Sequence, residues 1–145
     1  MKTYEQFKKD WLWKWYAENK SLGFQCVAWV KIYAKEVLWV NLWKFSWSAY
    51  NWFVTCSPII WLRFEKIFNT ISFIPKQWDI IFFDKNKQNW MCGHVWIVDS
   101  ADWKIVNVLN QNMFSGNGNN VKDWFSINSF DYINPKCLWV FRFKK

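Results

Sequence analysis

Glycine and histidine are scarce in this chain. Its 145 residues include 4 Gly and 1 His, where average usage of glycine near 7% would supply about ten. With a single imidazole, His94, a histidine general base has only one candidate. The cysteines Cys26, Cys56, Cys92 and Cys137 form no CxxC pair and no metal-type Cys/His spacing. That argues against a zinc site and a thioredoxin-like motif, and leaves free thiols of which one is reactive. No run approaches the roughly 18 apolar residues of a membrane span, so stable membrane insertion is not expected. Met1 to Asp10 carries Lys8 and Lys9 with no apolar segment behind them, and a cleavable secretory signal is not visible.

What is present is the composition of a folded protein. An apolar fraction of 52% against 21% charged residues excludes a disordered tail. The length suits one folding unit, so residues 1–145 are read as a single soluble, monomeric domain without linker or repeat. The net charge of +8 favours polyanions such as nucleic acid, anionic lipid or acidic wall polymers. Nucleic acid is the weakest of these, because the lysines are scattered and no aromatic-basic motif appears.

Helices are expected first. Cys26, Val30, Tyr33, Ala34, Val37 and Leu38 recur at three and four residues with Lys31, Lys35 and Glu36 on the other side, which predicts an amphipathic helix. A weaker helical stretch covers Tyr4 to Trp15, and Ser46 to Thr55 supplies a short third. After Pro75 the period changes: Ile80 to Phe83, Val95 to Val98, Ile105 to Leu109 and Leu138 to Phe143 read as strands. Ser115 to Lys122 reads as a loop. Helices followed by strands, with connections too short for parallel crossovers, predict an α+β domain whose N-terminal helices pack on an antiparallel sheet.

Tryptophan stands where glycine is wanted. Trp39 follows the helix from Cys26 at the place where a left-handed residue usually ends helices. Asp102-Trp103 sits in a hairpin where Asp-Gly would be the strong signal. A non-Gly residue in the left-handed region costs roughly 1–2 kcal/mol, a large part of a typical stability if repeated. With 15 Trp in the chain, the expectation is that many were UGA codons, read as Trp in one genetic code and as Gly in certain bacterial lineages and their phages. An ordinary Trp-rich carbohydrate binder would instead place its rings on the surface and not at turns.

The chemistry centres on one thiol. Gly23-Phe24-Gln25-Cys26-Val27-Ala28 puts Cys26 at the start of the predicted helix, where the dipole and free N–H groups favour a thiolate. His94 begins a predicted strand downstream, the chain order of papain-like enzymes, in which a third polar group orients the imidazole. On the next strand Asn110 and Asn112 share one face, and either could be that group.

Gly23-Phe24-Gln25-Cys26-Val27, Phe64-Glu65-Lys66-Ile67 with Asn69-Thr70, Pro75-Lys76-Gln77-Trp78-Asp79-Ile80-Ile81, Gly93-His94-Val95 and Gln111-Asn112 together resemble the CHAP family, the cysteine, histidine-dependent amidohydrolases/peptidases that include phage endolysin domains. Family members similar to this chain usually carry Gly where it has Trp15, Trp39, Trp78, Trp96, Trp103 and Trp139. The resemblance implies a papain-like α+β fold and hydrolysis of a peptidoglycan amide, either N-acetylmuramoyl-L-alanine or a peptide bond of the stem or cross-bridge. It assigns Cys26 as nucleophile, His94 as base and acid, and Asn110 as orienting residue where the family has Glu or Asp, with Asn112 the alternative. The Cys26 N–H and the Gln25 side chain are the expected oxyanion donors. Some relatives hold calcium near the nucleophile, but Ala17 to Ser21 and Ala28 lack most such ligands, so neither metal nor cofactor is expected. The implied partner is peptidoglycan and the place of action the bacterial wall, for a phage-encoded protein or one secreted by another route. The rivals are a basic wall- or glycan-binding module with vestigial catalytic residues and an NlpC-type cysteine peptidase.

Overall fold

The computed structural model describes residues 2–14, 16, 26–42, 48–54, 58–68, 70, 72–83, 93–111, 126–131 and 137–144. The helices are α1 (Tyr4–Trp11), α2 (Cys26–Glu36), α3 (Ala49–Val54) and α4 (Pro58–Arg63); the strands are β1 (Phe64–Phe68), β2 (Ile80–Phe83), β3 (His94–Ala101), β4 (Ile105–Asn110), β5 (Ser126–Asp131) and β6 (Cys137–Phe143). The strands form one sheet in the order β1-β6-β2-β3-β4-β5, and every neighbouring pair is antiparallel. The expected α+β class is therefore observed. Among the described residues no helix is long and apolar enough to cross a membrane.

Strand alternation splits the apolar residues between two clusters. Ile80, Phe82, Val95, Ile97, Leu109 and Phe141 join the helices in the larger one. Ile81, Trp96, Val98, Val106, Val108 and Val140 form the smaller one on the opposite face. Helix α1 starts on Thr3, whose hydroxyl accepts from Gln6 N at 3.1 Å, and buries Tyr4 and Phe7 one turn apart. Tyr4 Oη and Lys8 Nζ each reach Asp99 at 2.7 Å, which ties α1 to β3. Burial, reinforced by the neighbouring Asp99, pushes the Tyr4 phenol far above its usual range, so it remains a donor.

Two expectations are corrected. Lys31 is not on a solvent face of α2; it is buried, as is every residue from Cys26 to Ala34, so the helix is enclosed over that length and reaches solvent only at Lys35 and Glu36 in its last turn. Asp102-Trp103 does not need glycine. Asp102 closes the hairpin itself, accepting from Lys104 N and Ile105 N at 2.7 Å each, and Trp103 is absent from the left-handed residues.

The left-handed non-glycine residues among those described are Trp13, Trp39 and Trp78, with φ of 67°, 56° and 82°. Lys14 N bonds Trp11 O at 2.8 Å, and Leu12 has φ −51° and ψ 131°, which makes Trp13 the third residue of a type II turn. Asp79 N bonds Lys76 O at 3.1 Å, which places Trp78 third in its turn too. Trp39 lets the chain double back after α2, so that Val40 N reaches Ala34 O at 2.9 Å. All three positions are ones that glycine fills without steric penalty. Of the remaining Trp expected at glycine positions, Trp15 lies outside the described residues, Trp139 is a β6 residue, and Trp96 lies within β3. The loop expected over Ser115 to Lys122 also lies outside them.

Candidate functional site

Cys26 is the first residue of α2 and is buried, with 7% of its surface exposed. Two lines of contact set the direction in which α2 runs over the sheet. Near its C-terminal end, Tyr33 Oη donates to Trp78 O at 3.1 Å, and Trp78 N donates to Val98 O at 3.0 Å, which fixes that end beside the second half of β3. Near its N-terminal end, the Trp29 ring meets Trp11 at 5.0 Å, Trp11 meets Tyr16 at 6.2 Å, and the Tyr16 backbone is held by Gln111 just beyond β4. With Ile97 opposite Leu109, the end of β4 lies beside the start of β3. The N-terminal turn of α2 is thereby directed toward the end of β3 that begins with His94.

His94 owes its position to the residue before it. Gly93 has φ 71°, and a Cβ there would lie 2.9 Å from Phe83 O and 3.1 Å from Tyr50 N, so only glycine fits between β2 and α3. His94 pairs with Phe83 and is half-buried, with its Nδ1 enclosed. By alternation its side chain belongs to the face of Trp96, whereas Cys26 belongs to the helix-side cluster. Any approach of thiol and imidazole therefore runs around the first residue of β3.

Asn110 ends β4 on the same face as Val108 and is buried. Its Oδ1 accepts from Asn128 Nδ2 at 3.3 Å, and Asn128 also donates to Ser126 Oγ at 2.8 Å. Sequence reading missed Asn128, which lies on a strand with no apolar run to signal it. It also missed the role of Gln111: this buried side chain takes Tyr16 N at 2.9 Å and gives to Tyr16 O at 2.8 Å, a two-point clasp legible only once the partner is known. Gln25 and Asn112 lie outside the described residues.

The fold is shared with an endolysin. The crystal structure of wild-type endolysin LysIME-EF1 matches with a TM-score of 0.72 at 15% identity, over 94% of this chain and 60% of that one. Ly7917, solved with the hydrolysing product of MDP, matches with a TM-score of 0.54 at 15% identity, over 83% and 55%. The chain thus spans less than two thirds of either protein's length. No protein-family model matches it, and no curated protein does.

Proposed function

We propose that the chain is a peptidoglycan hydrolase of the CHAP type, acting on the bacterial wall through a cysteine thiolate. The observation that carries this reading is α2, with Cys26 at its start, laid toward the end of β3 that begins with His94, within a fold shared with an endolysin. The Ly7917 complex with the hydrolysing product of MDP adds support for a wall fragment as substrate, and the net charge of +8 suits anionic wall polymers.

In this mechanism His94 takes the Cys26 thiol proton, and the thiolate adds to the carbonyl carbon of a wall amide. The helix N-terminus stabilises the thiolate, and the Cys26 N–H with the Gln25 side chain hold the oxyanion. The C–N bond then breaks as His94 protonates the leaving amine. Water, deprotonated by the same imidazole, cleaves the thioester and returns the thiol. Asn110 orients the imidazole, with Asn112 the alternative; a neutral amide holds the ring but stabilises its cation less than a carboxylate does. The bond is an N-acetylmuramoyl-L-alanine or stem or cross-bridge amide, identified by product analysis on defined muropeptides. Cys26→Ala is expected to abolish clearing of a wall suspension while wall binding persists. Undiminished clearing by that variant refutes the thiolate mechanism.

The same proposal includes the codons. Left-handed φ values at Trp13, Trp39 and Trp78 support UGA codons decoded as Gly in the source of the gene. UGG at these positions in the coding DNA refutes it.

A further inference from the structure

The packing around Trp96 is anomalous for a core residue. Its ring lies 4.1 Å from that of Phe83 at 50°, closer than the range of about 4.5–7 Å that aromatic pairs prefer. The indole stacks on Phe130 at 4.6 Å and 25°, and lies 5.1 Å from the His94 ring. Trp96 is 6% exposed, and its buried Nε1 has no hydrogen-bond partner among the described residues. An unsatisfied donor of that kind costs about 1–3 kcal/mol. Crowding on one side and an unanswered N–H in the same ring show a large side chain in a place not shaped for it.

The ring lies between aromatic side chains of two different strands. Phe83 belongs to β2 and Phe130 to β5, so the indole bridges from one to the other across the intervening strands, in the cluster that holds Val106 and Val108. Phe83 and Phe130 are both only half-buried, so the rings that flank the indole themselves reach solvent. His94 and the Asn110–Asn128 amides lie on the same face.

We infer that the Trp96 indole fills a substrate slot beside His94, walled by Phe83 and Phe130 and floored by Val106 and Val108. The slot takes an N-acetylated sugar ring bearing a short peptide, a choice that rests on the peptidoglycan reading above. The C–H faces of such a ring suit aromatic walls, and its amide suits the Asn110 and Asn128 side chains. Trp96 is then a plug that competes with substrate for the space beside the imidazole.

The test uses the full chain carrying Trp96→Gly, titrated with muramyl dipeptide, with free indole as competitor and clearing of a wall suspension measured in parallel. The slot predicts about tenfold or greater tightening of muramyl dipeptide binding relative to the parent, reversed by indole. A folded variant with no gain in affinity overturns the slot, whatever the clearing assay reads. Tighter, indole-sensitive binding without clearing upholds the slot and removes the hydrolase reading instead. Should Trp96→Gly fail to fold, Trp96→Ala, which keeps the Cβ but vacates the ring volume, decides by the same affinity comparison.

Discussion

Replacing left-handed tryptophans by glycine should stabilise this protein, and the structure says which replacements gain most. Trp13 and Trp39 are each 66% exposed, so removing their rings forfeits little burial. A Cβ in the left-handed region costs roughly 1–2 kcal/mol, against about 0.5–1 kcal/mol for the extra freedom of glycine in the unfolded chain. The net gain is about 1 kcal/mol at each of the two sites, or about 2 kcal/mol for Trp13→Gly/Trp39→Gly, which raises Tm by roughly 6–8 °C in a domain of this size. Trp78→Gly gains less, because its ring stacks on Tyr4 at 6.3 Å and is partly covered. Trp103→Gly is the control: it is 70% exposed and is absent from the left-handed residues, so only the entropy penalty remains and Tm falls slightly. Thermal and urea unfolding of the single and double variants measures these shifts. Equal shifts for Trp39→Gly and Trp103→Gly would refute the assignment of strain to backbone conformation.

Gly93→Ala forces a Cβ against Phe83 O and into a left-handed φ, and is expected to lower stability by about 2 kcal/mol or more, read from the urea midpoint. Gln111→Ala leaves the Tyr16 N–H and carbonyl without that side chain and should lose about 1–3 kcal/mol, with faster amide exchange at Tyr16 than elsewhere. Bonds from Ile105 N and Lys104 N hold the Asp102 carboxyl below its usual pKa. Its folded-state value being depressed, the turn keeps its contribution above the ordinary carboxylate pKa and loses it as pH falls through the lower folded value. Amide exchange at Lys104 and Ile105, corrected for intrinsic rates, should rise over that acid window in the parent and be insensitive to it in Asp102→Asn.

Strand β2 was legible because Ile80 to Phe83 is an unbroken apolar run between polar turns. Helix α2 was legible by its period, but Lys31 carried a surface signature into a wholly enclosed position. Strand β5 gave no such signal: Ser126 to Asp131 is a polar edge whose partner, β4, alone defines it. The α4 helix is one short turn-rich segment begun by Pro58 and joined directly to β1, and neither showed a clear periodicity. Turn chemistry identified Trp39 but not Trp13 or Trp78, since a tryptophan gives no sign of the type II geometry it occupies. It misjudged Trp103 because the Asp102 side chain supplies the bonds that close the hairpin. Cys26, His94 and Asn110 could be picked out by residue type and order, whereas Gln111 and Asn128 acquire meaning only from what they touch.

The sixth strand in chain order, Cys137–Phe143, is an interior strand of the sheet, seated between β1 and β2. A nascent chain emerging from the ribosome must therefore carry two raw edges, Phe64–Phe68 and Ile80–Phe83, until residue 143 is clear of the tunnel. Before then the sheet is in two pieces, and only the arrival of this zipper strand joins them. Synthesis slowed within that window would leave adhesive surfaces waiting for a partner, which makes chaperone demand and inclusion-body formation sensitive to translation speed over the codons for Cys137–Phe143.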